Sequence, residues 1–376
     1  MKIFINTIII LFQLQFLSAA ERTLPQAVRG VWLTNVDSKA LNSAKNIDAA
    51  VEHCAKVGIN TIFVVTWNKA MTTYPSAVAK ALTGVEIDTL YRGRDPLKEL
   101  IASAHRKNIK VIAWFEFGFS TSFSQNGGRI LEVRPDWAAL NNERKLVVKN
   151  GFDWMNGFHP EVQEFMLQLV MEVVKNYDVD GVQGDDRLPA MPSESGYDPY
   201  TVGLYKEQHN GSEPPHNFKD SAWIQWRADI LNRYMERIHA SVKAVKPSML
   251  IAMSPSVYPW SKEEYLQDWP TWINKGYVDL VIPQIYRYTV DRYIETIDEM
   301  LDSQIDKDKL NRVTPGILLK VGKYYPSKKM LDQMIKENRK RGIKGEVFFF
   351  YEGLKKYPEY FETLYKDTVE FPSFPQ

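Results

Sequence analysis

The 376-residue sequence has almost no cysteine and no excess of charge of either sign. Cys54 is the only cysteine, so the chain can form no internal disulfide and must rely on a packed core for stability. It lies on the apolar side of a helical pattern with no partner histidine, which predicts a buried structural residue rather than a nucleophile. Lys and Arg total 47 against 46 Asp and Glu, and this balance argues against a nucleic-acid-binding protein.

Long apolar runs are absent after the N-terminus. Lys2, the mostly apolar residues 3–17 and the small residues 18–20 have the pattern of an export signal that is removed after about Ala20. The apolar run is shorter than the roughly 20 residues that a membrane span requires. No cysteine follows the small residues, so a bacterial lipid anchor is not expected. We predict an exported protein, periplasmic or extracellular, without stable membrane insertion once the signal is removed.

Motifs for bound metals and cofactors are also missing. The sequence has no zinc-ligand spacing, no phosphate-binding glycine loop, no GxGxxG and no nucleophile elbow. We therefore expect neither a metal nor an organic cofactor. Aromatic residues, by contrast, make up 12% of the chain, with ten Trp. This content suits a site that stacks on sugar rings, although a large aromatic core would give the same composition.

Eight short apolar runs alternate with longer amphipathic segments from about residue 27 to residue 365. This alternation predicts parallel strands joined by helices, and the regularity of the units favours closure into an α/β (β/α)₈ TIM barrel over an open doubly wound sheet. Residues 366–376 are assigned to a C-terminal tail. The predicted strands are 28–33, 59–66, 109–115, 179–183, 249–253, 278–283, 313–319 and 345–350. The connections 67–94, 116–158 and 184–221 are long and follow strands, so they fall on the catalytic face of a barrel.

Acidic side chains follow several of these strands at the positions where barrel enzymes carry their chemistry. Glycoside hydrolysis needs two carboxyl groups flanking the scissile bond, and the candidates are Asp185, Asp186, Glu116 and Glu352. Glu116 stands between Phe115 and Phe117, and desolvation there would raise its pKa as a proton donor requires. The residues predicted to contact the sugar are Trp32, Asn35, Asp37, Trp67, Trp114, Arg187, Gln284, Tyr286, Arg287 and Tyr351.

Each acidic candidate also has a simpler interpretation. The Asp185–Asp186 pair could cap a helix or form a surface ion pair, and it could in principle bind a metal, although no His-rich or Asp-rich cluster accompanies it. Glu116 and Glu352 could each form an ordinary loop salt bridge. The sequence predicts a polysaccharide or oligosaccharide partner but leaves the sugar, the linkage, the stereochemical outcome and the oligomeric state open.

Four strings carry a resemblance to a known family. They are Arg29–Ser38 (RGVWLTNVDS), Asp180–Asp186 (DGVQGDD), Asp279–Tyr286 (DLVIPQIY) and Val347–Gly353 (VFFFYEG). In this order they resemble the motifs of the glycosyl-hydrolase-like 10 family, over about residues 27–365. The resemblance implies a TIM-barrel glycosidase in which Asp185 is the central catalytic residue and Glu352 a plausible partner. The family includes an envelope glycosidase that cuts peptide-free peptidoglycan strands, so such strands become a candidate substrate.

Two positions depart from the family pattern. The DDY-like motif reads DDR, with Arg187 in place of an aromatic residue, and the third strand ends in WFEF where many relatives have WFNP. These departures leave open whether Glu116 is the general acid or a feature of a subfamily. The predicted activity is hydrolysis by a two-carboxylate mechanism, with Asp185 as nucleophile or base and Glu352 or Glu116 as acid. The alternative is a degenerate hydrolase that binds carbohydrate without cleaving it.

Overall fold

The computed structural model describes residues 24–374. The predicted export signal therefore lies outside the described residues. Eight parallel strands form the central sheet, and each is buried along most of its length. They are β1 (Arg29–Leu33), β2 (Thr61–Val65), β3 (Lys110–Trp114), β4 (Gly181–Gly184), β5 (Leu250–Met253), β6 (Leu280–Val281), β7 (Gly316–Leu318) and β8 (Glu346–Phe349).

The sheet curls into a ring. Its order runs β6-β5-β4-β3-β2-β1-β8-β7, so the first and last strands of the chain lie side by side at residues such as Gly30 and Val347. The remaining joint, between β6 and β7, is closed by two isolated parallel bridges, Val281 with Val313 and Gln284 with Gly316. The predicted (β/α)₈ barrel is confirmed, and the open doubly wound sheet is not formed.

The main helices surround the barrel. They are α1 (Ala44–Lys56), α2 (Pro96–His105), α3 (Pro160–Asn176), α4 (Ser221–Val245), α5 (Trp269–Asn274), α6 (Val290–Ser303), α7 (Lys328–Lys340) and α8 (Pro358–Leu364). The N-terminal caps explain these starts: Asp95 precedes Pro96 and accepts from the Lys98 amide, and Ser327 accepts from the Met330 amide. Cys54 is fully buried in α1.

Several short elements decorate the barrel. A tight hairpin pairs Trp67–Asn68 with Met71–Thr72, and a three-stranded antiparallel sheet joins Ser120–Phe123, Phe152–Trp154 and Val148–Lys149. Short helices span Ala77–Thr83, Gly128–Val133, Pro199–Gln208, Trp260–Tyr265 and Tyr351–Leu354, and 3₁₀ turns span Ala40–Asn42, Thr89–Tyr91, Pro135–Trp137 and Lys307–Arg312. The long connections after β2, β3 and β4 hold most of these additions, so they cover the C-terminal face of the barrel.

The opposite face is closed by the C-terminal segment that we assigned to a tail. Residue Glu370 pairs with Gln26, and the Ala27 amide donates to the Glu370 carbonyl at 3.0 Å. Arg29, at the start of β1, donates to the Tyr365 and Asp367 carbonyls at 3.2 and 2.7 Å. This face is therefore structural, and residues 366–374 pack onto the barrel. Within residues 24–374, no helix combines the length and the hydropathy needed to cross a membrane.

Candidate active site

Three carboxyl groups meet around one guanidinium group at the C-terminal ends of β3 and β4. Arg187 places Nη2 3.2 Å from Asp185 Oδ2 and 3.9 Å from Glu116 Oε1, and Nη1 3.3 Å from Asp186 Oδ1. Its Nε donates to the Glu116 carbonyl at 2.9 Å, and its guanidinium lies 4.7 Å from the centre of the Phe152 ring. Burial lowers the pKa of Arg187, but the three carboxyl groups more than offset this, so the group stays charged.

Two glycines allow this close packing. Gly118, with φ 50°, lies where the loop after β3 crosses the backbone of Arg187, and a Cβ there would come 2.0 Å from the Arg187 carbonyl oxygen. That carbonyl accepts from the Phe119 amide at 3.0 Å. At the end of β4, a Cβ on Gly184 would come 2.2 Å from the Leu188 carbonyl oxygen. Side chains at these positions would push the two loops apart, so the glycines hold Arg187 between Asp185 and Glu116.

Glu116 is in the position of a proton donor. Its side chain is 15% exposed, and Oε2 accepts from Asn68 Nδ2 at 2.9 Å and from Thr34 Oγ1 at 3.4 Å. Burial raises the pKa of Glu116 to about 7, against the lowering effect of Arg187. A carboxylic acid that keeps its proton near neutral pH can donate it to a leaving group.

Asp185 lies deeper than Glu116, and its side chain is only 1% exposed. It accepts from Trp114 Nε1 at 3.3 Å, from the Arg187 amide at 3.0 Å and from Arg187 Nη2 at 3.2 Å. Burial raises the pKa of Asp185 well above its usual range, while Arg187 lowers it. All three neighbours are donors, and Arg187 is closer to Asp185 than to Glu116. These donors stabilise the ionised form of Asp185 and so oppose the effect of its burial.

The separation of the carboxyl groups is compatible with hydrolysis. One Arg187 nitrogen lies 3.2 Å from an Asp185 oxygen and 3.9 Å from a Glu116 oxygen, so these two oxygens are at most about 7 Å apart. Glycosidases separate their two carboxyl groups by about 5–5.5 Å or about 6.5–9.5 Å, according to the stereochemical outcome. Asp186, 28% exposed, is the most accessible carboxyl group of the three.

A cleft of about 390 Å³ opens beside this cluster. Glu116 and Arg187 form part of its wall, and most of the other surface is apolar. The remaining lining residues are Thr34, Val36, Asp37, Asn68, Lys69, Phe117, Phe123, Phe152, Lys320, Val321, Gly322, Phe349 and Phe350. An apolar cavity with a few converging polar groups is the usual form of a small-molecule or sugar site.

The structure brings some of the predicted residues to the site and keeps others away. Asp37 and Arg187 line the cleft, and Asn35 accepts from Asn68 Nδ2 at 3.0 Å beside it. Tyr286 packs against Phe349, and its pKa is raised well above the usual range by burial and by the nearby carboxyl groups.

All three predicted tryptophans are buried and do not form an open sugar-binding surface. Trp32 donates to Gln183 Oε1 at 2.8 Å and contacts the Trp114 ring, whose own indole contacts Asp185. Both rings are at most 3% exposed, so they form the floor of the site. Trp67 is fully buried, donates to the Gly118 carbonyl at 3.0 Å and packs on Phe165 of α3. It supports the loop after β3 and offers no ring face to a ligand.

Four further predicted residues are not among those that line the cleft. The Glu352 carboxylate accepts a hydrogen bond from Ser38 Oγ at 2.8 Å and forms an ion pair with Lys355 at 2.7 Å. The neighbouring Tyr351 ring packs on His53 of α1. The reason is that a helix starts at Tyr351, directly after β8, and turns the chain outward. The other two are Arg287, which donates to Thr296 of α6 at 3.0 Å, and Gln284, which donates to the Ser254 carbonyl at 2.9 Å.

Sequence reasoning missed the residues that the added loops bring to the cleft. Phe123 and Phe152 are paired across the three-stranded sheet, and Phe123 is 54% exposed. Lys69 comes from the hairpin after β2, and Lys320 from the end of β7. The sequence signal of Phe123, Phe152 and Lys69 is only their place in long connections after strands, whereas Lys320 directly follows the predicted strand 313–319. Within residues 24–374, no group of three or more His, Cys, Asp or Glu side chains is arranged to hold a metal ion.

The barrel, with its carboxyl cluster at the C-terminal strand ends, defines a fold and site of the glycosidase type. Among solved structures, the fold is similar to the glycoside hydrolase domain of PgaB (BpsB) from Bordetella bronchiseptica, with TM-score 0.67 and 14% identity over 91% of this chain and 99% of that one. It is also similar to the catalytic domain of a beta-amylase from Paenibacillus polymyxa, with TM-score 0.60 and 10% identity over 90% and 98%.

The chain belongs to the glycosyl hydrolase-like 10 family, whose model matches residues 27–324. Curated relatives are glycosyl hydrolase YngK of Bacillus subtilis (strain 168) and glycosyl hydrolase DigH of Escherichia coli (strain K12). Each is 26% identical over 69% of this chain. The matched region covers 54% of YngK and 66% of DigH, so this chain spans less than two thirds of their length. Family membership and fold together support a glycosidase-type function.

Proposed function

We propose that this protein is an exported glycoside hydrolase that cleaves a polysaccharide by a two-carboxylate mechanism. The observation that carries the proposal is the convergence of Glu116, Asp185 and Asp186 on Arg187 at the wall of the cleft. Such a cluster suits hydrolysis because one carboxyl group can stay protonated while its neighbours stay ionised.

Glu116 is the proton donor in this mechanism. Its carboxyl group lines the cleft, and with a pKa of about 7 it carries a proton over much of the neutral range. The proton passes to the glycosidic oxygen as the bond to the anomeric carbon breaks, and Glu116 becomes a carboxylate. Glu352, the other candidate acid, contacts Ser38 and Lys355 and does not line the cleft, which supports Glu116 as the proton donor.

The Asp185–Asp186 pair supplies the opposing carboxylate. It stabilises the positive charge that develops at the anomeric carbon and then attacks that carbon or activates a water molecule. Asp185 accepts hydrogen bonds from Arg187 and Trp114, and Asp186 is the more exposed member. Single amide substitutions at each position separate the two, because only the reacting carboxylate is indispensable for turnover.

Peptide-free peptidoglycan strands are the first substrate to test, because the family that this sequence resembles includes an enzyme that cuts them. The test measures the release of reducing ends from a panel of polysaccharides that includes these strands. Wild type is compared with Glu116→Gln, Asp185→Asn and Asp186→Asn, and Glu143→Gln serves as a surface control. Wild-type activity that falls by several orders of magnitude in Glu116→Gln supports the mechanism. Full activity in that variant contradicts it.

Export is the second part of the proposal, based on the signal pattern in residues 1–20. Expression of the full chain in a bacterial host, followed by fractionation and N-terminal sequencing, tests it. The expected product begins near Glu21 and is found outside the cytoplasm. Uncleaved protein that stays in the cytoplasmic fraction contradicts this part without affecting the assignment of the site.

One observation favours a different class, a carbohydrate-binding barrel without catalysis. Asp185 is almost fully buried and its oxygens are occupied by Trp114 and Arg187, so a sugar cannot reach it in this conformation. If every substrate in the panel stays intact while wild type and Asp185→Asn bind glycan equally well, the binding-module function replaces the hydrolase.

A further inference from the structure

Two lysines reach the cleft without an anionic partner close enough to pair with. Lys69 and Lys320 both line it, on the hairpin after β2 and at the end of β7. Within the described part of the chain, neither ammonium group forms a hydrogen bond or an ion pair, and the charge of Lys69 acts on Glu116 only from a distance, where it lowers the pKa of that carboxyl group. Among the other charged lining residues, Arg187 is paired with its three carboxyl groups, and Asp37 and Glu116 contribute carboxyl groups to the same cleft. The cleft therefore holds two cations that a ligand can neutralise.

The backbone at Lys69 adds an independent observation. Lys69 and Ala70 form the two-residue turn of the hairpin, with φ 53° and 55°. A turn of this kind needs positive φ at both positions, and Gly or Asn ordinarily occupies them because other residues are strained there. The turn fixes the backbone of Lys69 at the wall of the cleft, beside Glu116.

Lys320 is held in place by a different contact. Its Nζ lies 5.0 Å from the centre of the Phe350 ring, which also lines the cleft. The attraction of the ammonium group to the ring fixes the direction of the side chain without neutralising its charge. Lys320 therefore remains available to an anion in the cleft, at a wall built by a different strand from the one that carries Lys69.

We propose that the cleft selects carboxylate-bearing sugars, with Lys69 and Lys320 binding the carboxylate groups of the glycan. This inference rests on the proposed function and defines its substrate class. The apolar wall formed by Phe117, Phe123 and Phe152 contacts the sugar rings, and the two ammonium groups contact acidic substituents. Two chemical sources fit: the lactyl carboxylate of muramic acid and the ring carboxylate of a hexuronic acid.

The test measures binding of defined oligosaccharides to the mature protein by isothermal titration calorimetry. The probes are peptide-free peptidoglycan oligosaccharides and oligogalacturonates, each compared with a sample in which the carboxyl groups have been reduced to alcohols. We expect Kd to rise at least tenfold on reduction for the preferred source. Whichever acidic series binds more tightly identifies that source.

Three variants complete the test. Lys69→Gln and Lys320→Gln should each raise Kd for the acidic oligosaccharide about tenfold, with little effect on the reduced form. Lys366→Gln is the matched control, because Lys366 is an exposed lysine beyond α8, at the opposite end of the barrel. Circular dichroism verifies that all three fold.

The outcomes separate this inference from the proposed function. Equal affinity for acidic and reduced forms, or unchanged affinity in both cleft lysine variants, overturns the selection of acidic sugars while carbohydrate binding itself stands. An absence of binding to any glycan, acidic or neutral, overturns the carbohydrate function as well. Tight binding of the acidic form that is lost in both cleft variants and kept in Lys366→Gln supports the proposal.

Discussion

Replacing Glu116 with glutamine should make the protein more stable at alkaline pH while removing its activity. The carboxyl group is mostly buried, and its pKa rises from an ordinary 4.5 to about 7 on folding. At about 1.4 kcal/mol for each pH unit, the folded protein gives up about 3 kcal/mol to ionise it. Glutamine keeps the shape, can still accept from Asn68, and does not ionise.

The sign of the effect follows from proton binding. Between pH 4.5 and 7 the folded protein binds more protons at Glu116 than the unfolded chain does, so its stability falls as the pH rises through this window. The difference in unfolding free energy between Glu116→Gln and wild type should be near zero at pH 4.5. It should grow to about 3 kcal/mol in favour of the variant by pH 8.

Urea unfolding followed by tryptophan fluorescence at half-unit steps from pH 4.5 to 8 measures this difference. The control is Glu143→Gln, since Glu143 is an exposed residue whose pKa is lowered by the hydrogen bond from Lys145. That variant should show no gain at alkaline pH. A difference for Glu116→Gln that stays flat across the range, or a variant less stable than wild type at pH 8, would refute the reasoning.

Further predictions concern activity and the framework of the site. Because Glu116 must carry a proton, kcat/KM of the wild type should fall about tenfold per pH unit above pH 7, and a pH–rate profile that stays level to pH 9 contradicts this. Glu352→Gln should retain turnover within about twofold in the reducing-end assay, since Glu352 faces Ser38 and Lys355, and a loss as large as that of Glu116→Gln would restore it as the acid. Arg227→Met should cost at least about 1–3 kcal/mol in urea unfolding, because the buried guanidinium donates to four backbone carbonyl groups in and beside the loop after β4, and its loss leaves buried acceptors unsatisfied. The exposed Arg233→Met on the same helix should change stability by less than about 0.5 kcal/mol, and equal losses in the two variants would count against this account.

The barrel was predictable from the sequence because its signals are local. Each strand is a short apolar run, and most helices start at a recognisable cap, such as Asp95 before Pro96. For the third strand, the predicted range 109–115 differs from the observed strand Lys110–Trp114 by one residue at each end. The stretch between β5 and β6 is harder to predict, because Leu266 adopts φ 55° and separates the helix Trp260–Tyr265 from α5, a break that periodicity does not show.

The site was only partly predictable because its contacts are not local. Arg187 was recognised as a departure from the family pattern, and so was Glu116, but the two are 71 residues apart and their contact depends on how the loops after β3 and β4 meet. Likewise, Phe123 and Phe152 reach the cleft through strand pairing within an insertion. The position of Glu352 depends on the short helix that begins at Tyr351, shortly after β8 ends at Phe349. No periodicity in VFFFYEG reveals this helix.

The strands of the barrel are not paired equally around the ring, and this difference has a consequence for protein engineering. The strands β1 and β8 are joined by three paired positions, whereas β6 and β7 meet through two isolated bridges. Gln26 and Glu370 are already side by side on the face opposite the cleft. A circular permutant could therefore link the chain near these residues and open it in the connection between α6 and β7, where the sheet is least continuous. Such a chain would keep Asp185, Arg187 and Glu116 on one uninterrupted segment, and would turn the weakest joint of the barrel into its new ends.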